Sequence, residues 1–180
     1  MGLTALKADY AGHDLALREV VITPDTAAYS SGDCIGGAIQ IEDIFSDGEG
    51  SYLCGFELYE KKGSGSLQRG TIYIYLIKKE ITVADNSAFS FSSPAISASD
   101  VALVGEISNY NDIGSTHSVA VSLKDFGGTF DPMRIYGIPM TKAQSAQSNS
   151  LWLVLQNQSG GSITYTTGSE LCLKLHFRRN

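Results

Sequence analysis

The sequence predicts an all-β fold: a single-domain antiparallel β-sandwich of the jelly-roll or Greek-key type, with about 8–10 strands. Three observations predict it. Apolar residues recur at every second position in several runs, most cleanly at Leu151, Leu153 and Leu155 and at Leu171, Leu173, Leu175 and Phe177, the pattern of strands with one buried face. Glycine is abundant, with 19 of 180 residues, while only 18% of the chain is charged and good helix formers are sparse, a mixture that favours short strands and turns. No alternation of strand and helix periods is present, which argues against a parallel sheet.

In chain order, residues 1–12 lack a period and read as an N-terminal arm, and residues 13–180 read as the sandwich domain. A first strand spans 15–22 and is ended by Thr23-Pro24-Asp25. A second spans 33–41, where Gly36-Gly37 predicts a bulge or a close backbone approach. After an acidic loop at 42–50, residues 52–61 alternate, with Tyr52, Cys54, Phe56 and Leu58 as the expected core set. Lys61 to Ser66 reads as a hairpin tip. Residues 70–78, filled with β-branched and aromatic side chains, suit a central strand. The Ser- and Ala-rich stretch 84–99 reads as a long crossing connection, with one helical turn near Ser99-Asp100. Strands at 102–110 and 115–124 are expected to pair across Asn111-Asp112-Ile113-Gly114. A Gly-rich loop at 125–133, a strand at 134–140 and a polar connection at 141–150 precede a C-terminal hairpin over 151–177.

A domain of this length buries roughly 70% of the surface its unfolded chain exposes, so its core needs no metal or disulfide. The net charge of −6 and a pI near 4.9 oppose nucleic-acid binding, since the only basic cluster is Arg178-Arg179. Three cysteines, Cys34, Cys54 and Cys172, form no C-x-x-C and are expected reduced. No signal-peptide apolar region and no membrane-length run is present, so no membrane partner is expected. The glycosylation pattern at Asn157-Gln158-Ser159 is short enough to arise by chance.

Catalysis should leave a base, a nucleophile and an electrophile in some recognisable pattern. His13, His117 and His176 lie far apart without metal-ligand spacing, and each reads as an exposed or singly bonded histidine. Gly63-Ser64-Gly65-Ser66 lacks the lysine and helix of a phosphate loop. Glu42, Asp43, Asp47 and Glu49 offer hard oxygen ligands for calcium, but their spacing misses the EF-hand pattern and solvated loop acids are commonplace. The expectation is therefore no catalytic residue, no cofactor, no metal and no enzyme. Tyr10, Tyr110, Tyr136 and Trp152 are the candidate partner contacts, set against the commoner fate of half-buried strand aromatics.

Two stretches carry a family resemblance. Tyr29-Ser30-Ser31-Gly32-Asp33-Cys34-Ile35-Gly36-Gly37, shortly after a Thr-Pro, is one. The other is Ser150-Leu151-Trp152-Leu153-Val154-Leu155, a Gly-rich turn, Tyr165-Thr166-Thr167-Gly168-Ser169 and Leu171-Cys172-Leu173-Lys174-Leu175-His176-Phe177. Together they resemble small structural proteins of tailed bacteriophages, and the resemblance leaves 85–146 uncovered. It implies a jelly-roll virion protein, a head decoration or cement protein that binds the major capsid protein on the capsid surface and assembles in the host cytoplasm. It implies a homo-oligomer, with a trimer as the form considered, and no catalytic residue. The alternative is a receptor- or carbohydrate-binding module of a tail fibre or spike; a sandwich-fold hydrolase is a third class.

Overall fold

The computed structural model describes residues 7–10, 13–42, 44, 51–93, 95–121, 138–140 and 150–179. Its strands are β1 (Lys7–Tyr10), β2 (His13–Ile22), β3 (Ala28–Tyr29), β4 (Cys34–Ile41), β5 (Ser51–Lys61), β6 (Ile72–Ile77), β7 (Val101–Ile107), β8 (Asn111–Ile113), β9 (His117–Val121), β10 (Ile138–Met140), β11 (Leu151–Asn157), β12 (Ile163–Thr164) and β13 (Glu170–Arg179). The fold is all-β and antiparallel, as the sequence predicts, and one 3₁₀ turn at Ala98–Asp100 ends the crossing connection where a helical turn was expected.

Two sheets face one another. The larger runs β1-β2-β13-β5-β9-β8, with β10 also paired to β5, and the smaller runs β4-β11-β6-β7. One core fills the space between them: Val20, Ile22, Phe56, Leu58, Leu171, Leu173, Leu175 and Phe177 enter from the larger sheet. Ile35, Ile41, Ile72, Ile74, Leu76, Leu103, Ile107, Leu151, Leu153 and Leu155 enter from the smaller. Each fully buried branched or aromatic side chain of this kind contributes about 1.5–3 kcal/mol over leaving it in water, which fixes the face each strand turns inward. The pairing nests along the chain. Of the eight long strands, β2 lies beside β13, β4 beside β11, β5 beside β9 and β6 beside β7.

Nesting corrects the expected C-terminal hairpin. The strands β11 and β13 lie in opposite sheets, and their leucines meet across the core instead of sharing a ladder. Both have an apolar period of two, because either arrangement buries alternate residues. The strand β7 likewise pairs with β6 and not with β9; Asn111–Ile113, expected as a turn, is itself β8, which folds back on β9. Residues 62–71 cross from the larger sheet to the smaller and are no hairpin tip. Within the stretch read as an arm, Lys7–Tyr10 pairs with β2 as an edge strand, which backbone hydrogen bonds secure without any apolar period.

Bulges adjust two strands. On β5, Gly55 pairs with His176 and Leu53 with Phe177, so Cys54 is the extra residue. Below that bulge the phase flips: Phe56 and Leu58 point inward as expected, and Leu53 joins them. The side chains of Tyr52 and Cys54, also expected in the core, lie outside the described residues. On β4 the register slips between Ile39 and Ile35, at the predicted Gly36-Gly37, which take φ of 80° and 74°. A side chain at Gly36 would collide with Ile22.

Candidate functional site

The two stretches that carry the resemblance, far apart in sequence, meet at one junction. The strand β3 pairs with β12, placing Tyr29 opposite Ile163, and the Tyr29 ring stands edge-on to Tyr165 with centroids 5.9 Å apart. Gly32 N–H donates to the Asn157 carbonyl at 2.7 Å, and Asn157 N–H to the Asp33 carbonyl at 2.9 Å. Side-chain amides complete the seam. Asn157 Nδ2 donates to the carbonyls of Tyr29 and Gly161, and Gln156 Nε2 to those of Gly32 and Phe89. Buried amides satisfied in this way fix chain geometry, because each orphaned partner would cost a desolvation penalty.

Asp85 closes the other side of the junction. Its Oδ1 accepts from the Tyr29 hydroxyl at 2.9 Å, from Gly36 N–H at 2.7 Å and from its neighbour Asn86 N–H. Desolvation first, and the Asp85 carboxylate next to it, raise the Tyr29 phenol well above its ordinary range. The segment carrying Asp85 runs along the outer edge of β4: Ala38 N–H donates to the Val83 carbonyl, Cys34 N–H to Ser87 and Asn86 N–H to Cys34. Burial pushes the Cys34 thiol up to about 12, so it carries little thiolate at neutral pH.

The smaller sheet has apolar cover on its outer face too. Cys34, Tyr75, Ile77, Ile81, Phe89, Trp152 and Val154 form a second cluster, with Tyr75, Phe89 and Phe91 in edge or tilted contact. Trp152 is therefore an internal residue, 8% exposed, and offers no ring face to a sugar. Tyr110 packs against the main core, its hydroxyl donating to the Gly70 carbonyl at 2.9 Å. Trp152 is thus buried, and Tyr110 is half-buried. Tyr136 and the side chain of Tyr10 lie outside the described residues, as do Asp43, Asp47, Glu49 and the side chain of His13; Glu42 is exposed. His117 contacts Thr116, and His176 lies 3.7 Å from Glu57. Among the described residues no three His, Cys, Asp or Glu side chains are grouped to hold a metal ion.

No protein-family model and no curated protein matches this chain.

The outer face of the larger sheet is a surface that aromatic content alone did not pick out. Its rows follow from register: Val21, Cys172, Tyr59 and Val119 stand side by side across β2, β13, β5 and β9. On one side of that row lie Glu170 and Lys61, joined at 2.9 Å; on the other lie Glu19, Lys174 and Glu57. Lys174 sits 3.9 Å from Glu19 and over the Tyr59 ring at 4.7 Å, while Tyr59 donates to Glu57 at 2.7 Å. Val21 is 49% exposed, so the apolar row is open to solvent at its β2 end.

Proposed function

We propose that this protein is a virion structural protein of the head-decoration or cement kind, which stabilises a phage head by binding adjacent subunits of the major capsid protein. The observation that carries the reading is the junction itself: the two stretches that resemble tailed-phage structural proteins form one seam, and their polar side chains are spent on holding backbone. A shared structural motif predicts that pattern. The nested strand order supports reading the sandwich as a jelly roll, an architecture used by capsid domains. Decoration works by covering surface, and specific interfaces bury about 1,200–2,000 Å² in total, which a broad sheet face is suited to supply.

The test is sedimentation of the purified chain with undecorated heads. Saturable co-sedimentation, and heads that resist heat or low salt better once bound, are expected; a chain that stays in the supernatant overturns the reading. The carbohydrate-binding alternative is answered by a glycan array, on which no saturable binding is expected.

A further inference from the structure

We infer that the outer face of the larger sheet is a self-complementary interface, through which two copies of this chain pair face to face about a two-fold axis along the Val21-Cys172-Tyr59-Val119 row. This deepens the homo-oligomer that the resemblance implies, and rests on that reading only for the role of the assembly; its partner is a second copy.

The charges narrow the choice of axis. On β13, Glu170 and Lys174 lie two residues to either side of Cys172; on β5, Lys61 and Glu57 lie two residues to either side of Tyr59. Cys172 and Tyr59 are direct register partners, as are Glu170 with Lys61 and Lys174 with Glu57. Turning a second copy over about the central row lays each side row on the opposite side row of its mate. Lys174 then faces Glu170 of the second copy, and Glu57 faces Lys61. By symmetry each contact occurs twice, and no like charges oppose one another.

A two-fold midway between β13 and β5 would also match Glu170 with Lys61 and Lys174 with Glu57, but it lays Cys172 on Tyr59 and Val21 on Val119, so a Cys172-to-Cys172 crosslink tells it from the row axis. Axes centred on one strand fail the charge condition. A two-fold along β13 would stack Lys174 on Lys174 and Glu19 on Glu57, and one along β5 would stack Lys61 on Lys61 and Glu57 on Glu57. Juxtaposed like charges are among the strongest determinants of which partner is refused. The central row supplies the apolar contact, Val21 on Val21 and Tyr59 on Tyr59, with charged rows as its rim. An interface that uses one patch on both copies is isologous, so it closes at two and does not build a trimer.

The axis passes Cys172, which faces its own copy. Packed sheets lie about 10 Å apart, beyond the reach of a direct disulfide, so the two thiols should be joined by a short-armed bismaleimide instead. The experiment uses the full chain in a Cys54→Ser background, with sedimentation equilibrium at micromolar concentration and the crosslinker in parallel. A dimer is expected, crosslinked covalently while Cys172 is present and not after Cys172→Ser. Val21→Glu, at an exposed position, sets like charges against one another on the axis and is expected to raise the dimer dissociation constant at least about 100-fold, with unchanged circular dichroism. A monomeric or trimeric parent, a dimer that ignores Val21→Glu, or a covalent dimer that survives Cys172→Ser would overturn the inference. Failure to bind heads would leave these outcomes unaffected, so the two proposals fall separately.

Discussion

The side-chain amide of Asn157 donates to the backbone carbonyl of Tyr29 at 2.9 Å, joining residues 128 apart at the end of β11. Asn157 is fully buried, and its other contacts, to the Gly161 carbonyl and from Ser159 N–H, leave it no unused polar atom. Replacement by alanine orphans the buried Tyr29 carbonyl and removes the partners of the Gly161 carbonyl and the Ser159 N–H. Asn157→Ala is expected to lower stability by about 2–4 kcal/mol, read as a shift in the urea midpoint at constant slope. A loss below about 0.5 kcal/mol, the level of an ordinary surface substitution, would show that the seam does not hold the junction.

Glu60 fixes the crossing from the larger sheet to the smaller. It points inward from β5 at 2% exposure, and its two oxygens accept the backbone N–H groups of Gln68 and Arg69. Arg69, held at φ 49°, then reaches Asp112 on β8 at 2.6 Å. Glu60→Gln keeps the volume but turns one acceptor into a donor that faces a backbone donor. Amide hydrogen exchange at Gln68 and Arg69 should accelerate about 10-fold or more, consistent with roughly 1.5–3 kcal/mol for a lost hydrogen bond to a charged group. Unchanged protection at both amides would refute the clamp.

The period-two pattern reported faces faithfully and partners poorly. Leu151, Leu153 and Leu155 and Leu171, Leu173 and Leu175 were legible as inward residues, yet the same pattern arises whether two strands share a ladder or face each other across a core. Trp152 misled for a related reason. All seven residues of β11 are buried, so its alternation separates one apolar cluster from another instead of core from solvent. Cys54 as an extra residue in β5 left no mark in composition, because a bulge is defined by the partner strand. Gly36-Gly37 was legible, since paired glycines in a strand seldom have another use. The charged rows on the outer face were present in the alternation of β13, but their alignment with β5 and β2 depends on long-range register.

Gly36 and Gly160 separate backbone strain from crowding. Their φ values, 80° and 72°, are close, but a side chain at Gly36 would overlap Ile22 while nothing lies near Gly160. Gly160→Ala is expected to cost about 1–2 kcal/mol, the ordinary penalty of a left-handed residue with a Cβ. Gly36→Ala carries the same strain plus displacement of a core isoleucine, and overpacking adds about 1–3 kcal/mol. Thermal unfolding of the two variants should therefore place Gly36→Ala clearly lower; equal midpoints would mean that β4 yields at its bulge.

Alkaline pH should unfold the protein through its buried phenols. Burial raises Tyr75 to about 12 and lifts Tyr29, Tyr110 and Tyr165 higher still, with Glu60 adding to the last two and Asp85 to Tyr29. The folded state thus holds protons that the unfolded chain releases near the ordinary value of 10.0. Stability linked to these groups is fully present below that value and falls as pH rises toward their folded-state values. Cys34, raised from 9.0 to about 12, adds a loss of the same sign that begins about one unit lower. Tyrosinate absorbance should accordingly include a late phase that coincides with loss of the β-sheet circular dichroism signal. A single smooth titration centred on 10, with the sheet signal intact, would contradict the burial of these four rings.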